Sequence, residues 1–185
     1  MNKTFHRLAA TAALALAGFA AQATPIVIDV GGVQSINLQG EAGNTVWLID
    51  IGANAVLNSL DWTVNLNAFA PSSLSEMQVS FGSSSGLDLV TFAPGAADSV
   101  SGAGSYSGTV DLRALSLSAG ADGKLRVEFS EGYKDFATGV AEGQWVSGHL
   151  TFDVTAAAVP EPASAAMALL GLGFIGVLAR RARRA

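Results

Sequence analysis

Polar and apolar residues alternate with a period of two through the central part of the chain, and that pattern commits the body to β-sheet. In residues 60–67, Leu60, Trp62, Val64 and Leu66 fall on one side and Asp61, Thr63, Asn65 and Asn67 on the other, as successive side chains of a strand must. Residues 124–130 repeat the logic, with Leu125, Val127 and Phe129 inward and Lys124, Arg126 and Glu128 outward. In 148–154, Gly148, Leu150, Phe152 and Val154 alternate with His149, Thr151 and Asp153. Further strands are expected at 26–30, 46–51, 77–81, 87–92 and 107–117, the last with a bulge or bend where its face switches between Leu112 and Leu115. Gly31-Gly32, residues 40–44, Pro71-Ser72-Ser73, residues 82–86, Pro94-Gly95 and Asp122-Gly123 supply the turns. Nothing between them sustains a helical period. Short strands at this spacing predict an all-β domain, an antiparallel two-layer β-sandwich of jelly-roll-like form.

The charge is unevenly placed. Segment 24–162 holds four basic residues, Arg113, Lys124, Arg126 and Lys134, against all fifteen acids of the chain, a net charge of −11. A nucleic-acid partner needs a basic footprint and is not expected, nor is docking of this segment on anionic lipid. With no cysteine, the domain must rest on its core instead of disulfides, and thiol catalysis and thiolate metal sites are excluded.

Both ends of the chain carry addressing signals. Lys3 and Arg7 precede an apolar stretch over 8–21, and Ala21-Gln22-Ala23 fits the small-x-small rule. These are the three parts of a secretory signal for signal peptidase, which places the mature start at Thr24. At the other end, Val159-Pro160-Glu161-Pro162 is followed by an apolar run over 163–179 and then by Arg180, Arg181, Arg183 and Arg184. The prolines keep the chain extended up to a helix start that Ser164 is placed to cap. The run reaches roughly 25 Å as a helix, a minimal membrane span, and the arginines are expected on its cytoplasmic side. The expected division is a signal peptide at 1–23, a sandwich domain at 24–156 and a tail at 157–185 holding linker, motif, single transmembrane helix and arginine cluster.

This tail closely resembles the PEP-CTERM sorting signal of Gram-negative bacteria. The resemblance makes Val159, Pro160, Glu161 and Pro162 the recognition element, 163–179 a transient inner-membrane anchor, and Arg180, Arg181, Arg183 and Arg184 the stop-transfer cluster. It implies processing by an exosortase, a membrane-embedded cysteine-dependent enzyme, and association with exopolysaccharide or biofilm export. Ala182 within the cluster and the terminal Ala185 are small departures. Over 123–154 the body also resembles, faintly, the closing strands of P-domain-like jelly rolls, where an acidic loop and a G-x-W element, here Gly143-Gln144-Trp145, precede the final strand.

Candidate chemistry in the body is sparse. Gly171-Leu172-Gly173-Phe174-Ile175-Gly176 fits a dinucleotide fingerprint, but no strand precedes it, and small residues in a membrane helix explain it better. Gly82-Ser83-Ser84-Ser85-Gly86 fits a nucleophile elbow, yet lies between two strands where a strand-to-helix turn is needed. His149 sits on a polar strand face, and its neighbours Ser147 and Asp153 project parallel to it, so no triad converges. Glu128, Glu131, Asp135 and Glu142 crowd one region as the candidate oxygen ligands for Ca²⁺, although no calcium-loop spacing is present. Otherwise no cofactor is expected. Trp145, next to that region, is the tryptophan placed to stack on a sugar, whereas Trp62 belongs to the core face. The expected protein is a non-enzymatic, structural or adhesive component of the cell surface or extracellular matrix. A carbohydrate- or Ca²⁺-binding module is the alternative, and a polysaccharide hydrolase with a carboxyl pair in a cleft follows it.

Overall fold

The computed structural model describes residues 23–157. Its strands are β1 (Ala23–Asp29), β2 (Val33–Ser35), β3 (Thr45–Asp50), β4 (Val56–Ala68), β5 (Met77–Ser83), β6 (Val90–Phe92), β7 (Gly102–Asp111), β8 (Lys124–Glu131) and β9 (Gly143–Thr155). Two single 3-10 turns, Leu74–Glu76 and Arg113–Leu115, are the helical structure among the described residues, and no helix there is long and apolar enough to cross a membrane. The signal sequence up to residue 22 and the motif, apolar run and arginine cluster from residue 158 lie outside the described residues.

All strand pairs are antiparallel. One sheet runs β1-β9-β4-β7, with β2 also on β9; the other runs β3-β8-β5-β6. The expected all-β, antiparallel two-layer architecture is therefore present. Period-two patterning produces it directly. Leu60, Val64 and Leu66 of β4 and Leu150, Phe152 and Val154 of β9 face Val79 and Phe81 of β5 and Leu125, Val127 and Phe129 of β8 in one buried cluster. Aromatic pairs join the layers: Phe81 with Phe152 at 5.0 Å, Phe129 with Trp145 at 5.1 Å and Trp62 with Phe92 at 4.4 Å between ring centroids. Each such side chain contributes about 1.5–3 kcal/mol by leaving water, which is how a cysteine-free sandwich holds.

The differences from the sequence reading have local causes. The strand expected at 107–117 is shifted to Gly102–Asp111, and its second half is a 3-10 turn. Glycines at 102, 104 and 108 erase the apolar alternation there, and Asp111 Oδ1 accepts the Arg113 N–H at 2.9 Å to start the turn. The strand expected at 87–92 shrinks to Val90–Phe92, because Asp88 accepts from Ser83 N and Ser83 Oγ and stays in the turn. The final strand begins earlier, at Gly143, and includes a bulge. Its register to β4 shifts between Ser147 and Trp145, leaving Val146 as the extra residue. β2 had no alternation long enough to signal it.

The strand directions sort the loops to two ends of the sandwich. Ala23 pairs with Thr155, so both ends of the described chain leave from one pole. Gly143, at the start of β9, and Glu131, at the end of β8, lie at the other, along with loops 36–44, 69–76, 93–101 and 132–142. The thirteen residues of β9 separate the poles by roughly 40 Å.

Candidate functional site at the far pole

The buried carboxylates among the described residues, Glu128, Glu131 and Glu142, lie at or next to the far pole. The four loops of that pole carry Glu41, Glu76, Asp98, Asp135 and Glu142 against the single cation Lys134. The loop joining β8 to β9 is organised around the pair Lys134 and Glu142. Lys134 Nζ lies 2.5 Å from Glu142 Oε1, with side-chain exposures of 15% and 0%. It also donates to the carbonyls of Ile36 and Val140. Glu142 accepts the N–H groups of Asp135 at 3.1 Å and Phe136 at 2.8 Å. Burial alone would raise the Glu142 carboxyl, but Lys134 and those two amides hold it below the usual carboxylate range.

A second hub is Asn37, which ties the 36–44 loop to its neighbour. Its Oδ1 accepts from Gly139 N at 2.7 Å, its Nδ2 donates to Ala42 O at 2.8 Å, and its carbonyl accepts from Glu131 N at 2.8 Å. The loop then folds over the outer face of the second sheet. Glu128, expected to point to solvent, is on that outer face but fully buried beneath it. It accepts from Gly40 N at 2.6 Å and Asn44 Nδ2 at 3.0 Å, and pairs with Arg126 at 2.6 Å. Burial pushes its carboxyl up; Asn44, Gly40 and Arg126 outweigh this and bring it below its ordinary value.

Glu131 is the exception. It extends the inward row Leu125, Val127, Phe129 by one step, opposite buried Met77, and is 1% exposed. Neither carboxyl oxygen has a hydrogen-bond partner among the described residues. Burial, followed by the adjacent Glu142 and Glu76 carboxylates, pushes its pKa up to about 7, against the pull of Ser35 and Lys134. Ser35 offers modest relief, since its hydroxyl is 2.7 Å from the Ser130 carbonyl and commits its proton there. The signal was present in the sequence: the alternation that puts Leu125, Val127 and Phe129 inside puts Glu131 inside too.

A titrating buried carboxyl has a definite effect on stability. The folded protein holds the Glu131 proton to about pH 7, whereas the unfolded chain releases it near pH 4.3. Stability must therefore fall as pH rises between those values, because the native state binds the extra proton, and level off above them. The loss is on the order of 3 kcal/mol. Glu131→Gln is expected to remove it, unfolding several °C higher than wild type at pH 8 and with little difference at pH 4. Thermal unfolding followed across that range checks both.

The four candidate calcium ligands do not assemble into one centre. Glu128 is held on the outer sheet face, Glu142 is saturated by Lys134 and backbone amides, and Glu131 is inside. Asp135 is exposed on the loop, its carboxyl raised by desolvation and then by Glu76 and Glu142. Among the described residues no group of three or more His, Asp or Glu side chains is gathered to hold a metal ion. Trp145, read from the sequence as the sugar-stacking candidate, is 0% exposed and part of the core. A tryptophan on an alternating strand opposite Val33 and Leu66 is drawn inward with them. The exposed aromatics of this pole are instead Tyr133, at 62%, and Phe136, at 37%. Ser84 sits in the β5–β6 turn with its hydroxyl on Asp122 at 2.6 Å, strand on either side, so no elbow forms. His149 is exposed on β9 between Asp29 and Thr63.

A family model described as the PEP-CTERM protein-sorting motif matches residues 158–184. No curated protein and no solved structure matches the chain.

Proposed function

We propose, from the PEP-CTERM sorting motif that this chain carries, that its sandwich is an exported passenger of that tail. The protein enters the secretory pathway through residues 1–23, and signal peptidase releases it after Ala23. The 163–179 run then holds it in the inner membrane of a Gram-negative cell, with Arg180, Arg181, Arg183 and Arg184 in the cytoplasm. An exosortase reads Val159-Pro160-Glu161-Pro162, cuts near it, and frees the 24–156 domain to the cell surface or extracellular matrix. There it serves a structural or adhesive role alongside exopolysaccharide.

The matched motif carries this reading. The topology of the body supports it: both ends leave from one pole, so the tail tethers the sandwich at its base and holds the acidic loops roughly 40 Å away. The net charge of the body keeps such a domain soluble and off anionic lipid. The strand order β1-β9-β4-β7 facing β3-β8-β5-β6 supports the jelly-roll form, since two interlocked Greek keys produce this arrangement.

The deciding experiment is a pair of tail variants. Glu161→Ala and Pro162→Ala are each expected to leave a longer species in the inner-membrane fraction, while wild type is found processed outside it. Immunoblots of fractionated cells read the outcome. Normal arrival of both variants at the surface would overturn the assignment.

A further inference from the structure

β7 is a ten-residue edge strand, paired on one side with β4 and, among the described residues, with no strand on the other. The remaining edges are blunted or short. β1 contains Pro25 and ends in Asp29, β6 has three residues, and β3 has six and ends in Asp50. Gly102 to Val110 contains no proline and no charge. An exposed edge without those devices is a template for another strand.

The direction of its free groups follows from the ladder. Leu112 N donates to Asn58 O at 2.8 Å, and the β4–β7 register runs unshifted from Ser59↔Asp111 to Ala68↔Gly102. Even-numbered residues therefore bond to β4. The amides and carbonyls of Ala103, Ser105, Ser107 and Thr109 point away from the sheet. The sequence here, Gly104-Ser105-Tyr106-Ser107-Gly108, reads the same in both directions. An antiparallel strand sees its partner reversed, so this segment is complementary to itself.

We propose that β7 pairs with β7 of a second copy of this chain about a two-fold axis at Tyr106, joining the two first sheets into one. Ser105 then lies opposite Ser107, Gly104 opposite Gly108 and Ala103 opposite Thr109, with no charges opposed along the palindrome. Paired serines add cross-strand hydrogen bonds, and each outward residue exchanges two backbone bonds, roughly eight across the axis. A symmetric contact of this kind closes as a dimer and does not propagate. The passenger would thus stand outside the cell in pairs. This goes beyond the sorting assignment and does not depend on which enzyme reads the tail.

The absence of cysteine allows a clean test in the full-length chain expressed in an exporting cell. Two differently tagged copies, one Ser105→Cys and one Ser107→Cys, are expected to form a disulfide-linked mixed dimer on mild oxidation, since directly opposed Cα atoms fall within disulfide reach. Control pairs at the other edges, Val27→Cys and Leu48→Cys, are expected to give several-fold less. Adding Thr109→Pro removes an outward amide that the β4 ladder does not use and is expected to abolish the link, with export and protease resistance unchanged. The proposal is overturned by a correctly exported 105/107 pair that stays uncrosslinked, by stronger linking at either control edge, or by linking to a different protein.

Discussion

Trp145→Ala is expected to lower the free energy of unfolding by about 3–5 kcal/mol, a third or more of what a domain of this size has to spare. Its ring is wholly buried, sits edge-on to Phe129 at 5.1 Å and lies between Val33 of β2 and Leu66 of β4 across the ladder. Truncation opens a cavity at the junction of three strands and both layers, where the backbone is least able to collapse. Trp145→Phe keeps most of the volume and removes an indole N–H that has no partner among the described residues, so its cost is expected to stay below about 2 kcal/mol. Urea unfolding reads the difference as a shifted midpoint at constant slope. A surface role in sugar stacking predicts the reverse, with unchanged stability and lost glycan affinity.

The second large effect is expected at Gly148. Its φ is +121°, and a Cβ built there would lie 2.2 Å from the Thr63 carbonyl oxygen and 2.7 Å from the Val64 Cα. Both obstacles are backbone of the central strand β4, so neither can turn aside. The residue follows the Val146 bulge, and its own carbonyl accepts Val30 N at 3.1 Å, so moving it disturbs β9, β4 and the β1 edge together. Gly148→Ala combines an unfavourable dihedral with overpacking and should cost at least about 3 kcal/mol. Val146→Ala, a truncation of a half-exposed side chain in the same bulge, should change stability by under about 1 kcal/mol. Equal melting of Gly148→Ala and wild type would mean that β4 and β9 approach each other less closely than described.

The legible part of the fold was the part with a period. Residues 60–67, 124–130 and 148–154 were read to the correct face from alternation alone, because burying one side of a strand leaves a mark every second residue. The extra length of β9 and the position of β7 were not legible. A bulge interrupts the first pattern at Val146, and glycines dilute the second. At the far pole the acidic loop was visible as a cluster, but not what each carboxylate does. Sequence proximity groups Glu128 with Glu131; the strand sends one to the outer face and the other into the core.

Residue order alone settled that the body is sheet, that its net charge is strongly negative, and that a sorting motif follows it, since periodicity, ionisable groups and a contiguous motif are local properties of the chain. Only folding decided that Trp145 is core, that Glu131 is a buried acid beside Glu142 and Glu76, that both ends of the described segment share a pole, and that a self-complementary strand lies on an edge. Those depend on which distant segments become neighbours, and side chains are assigned to water or interior only once the second layer has closed over the first.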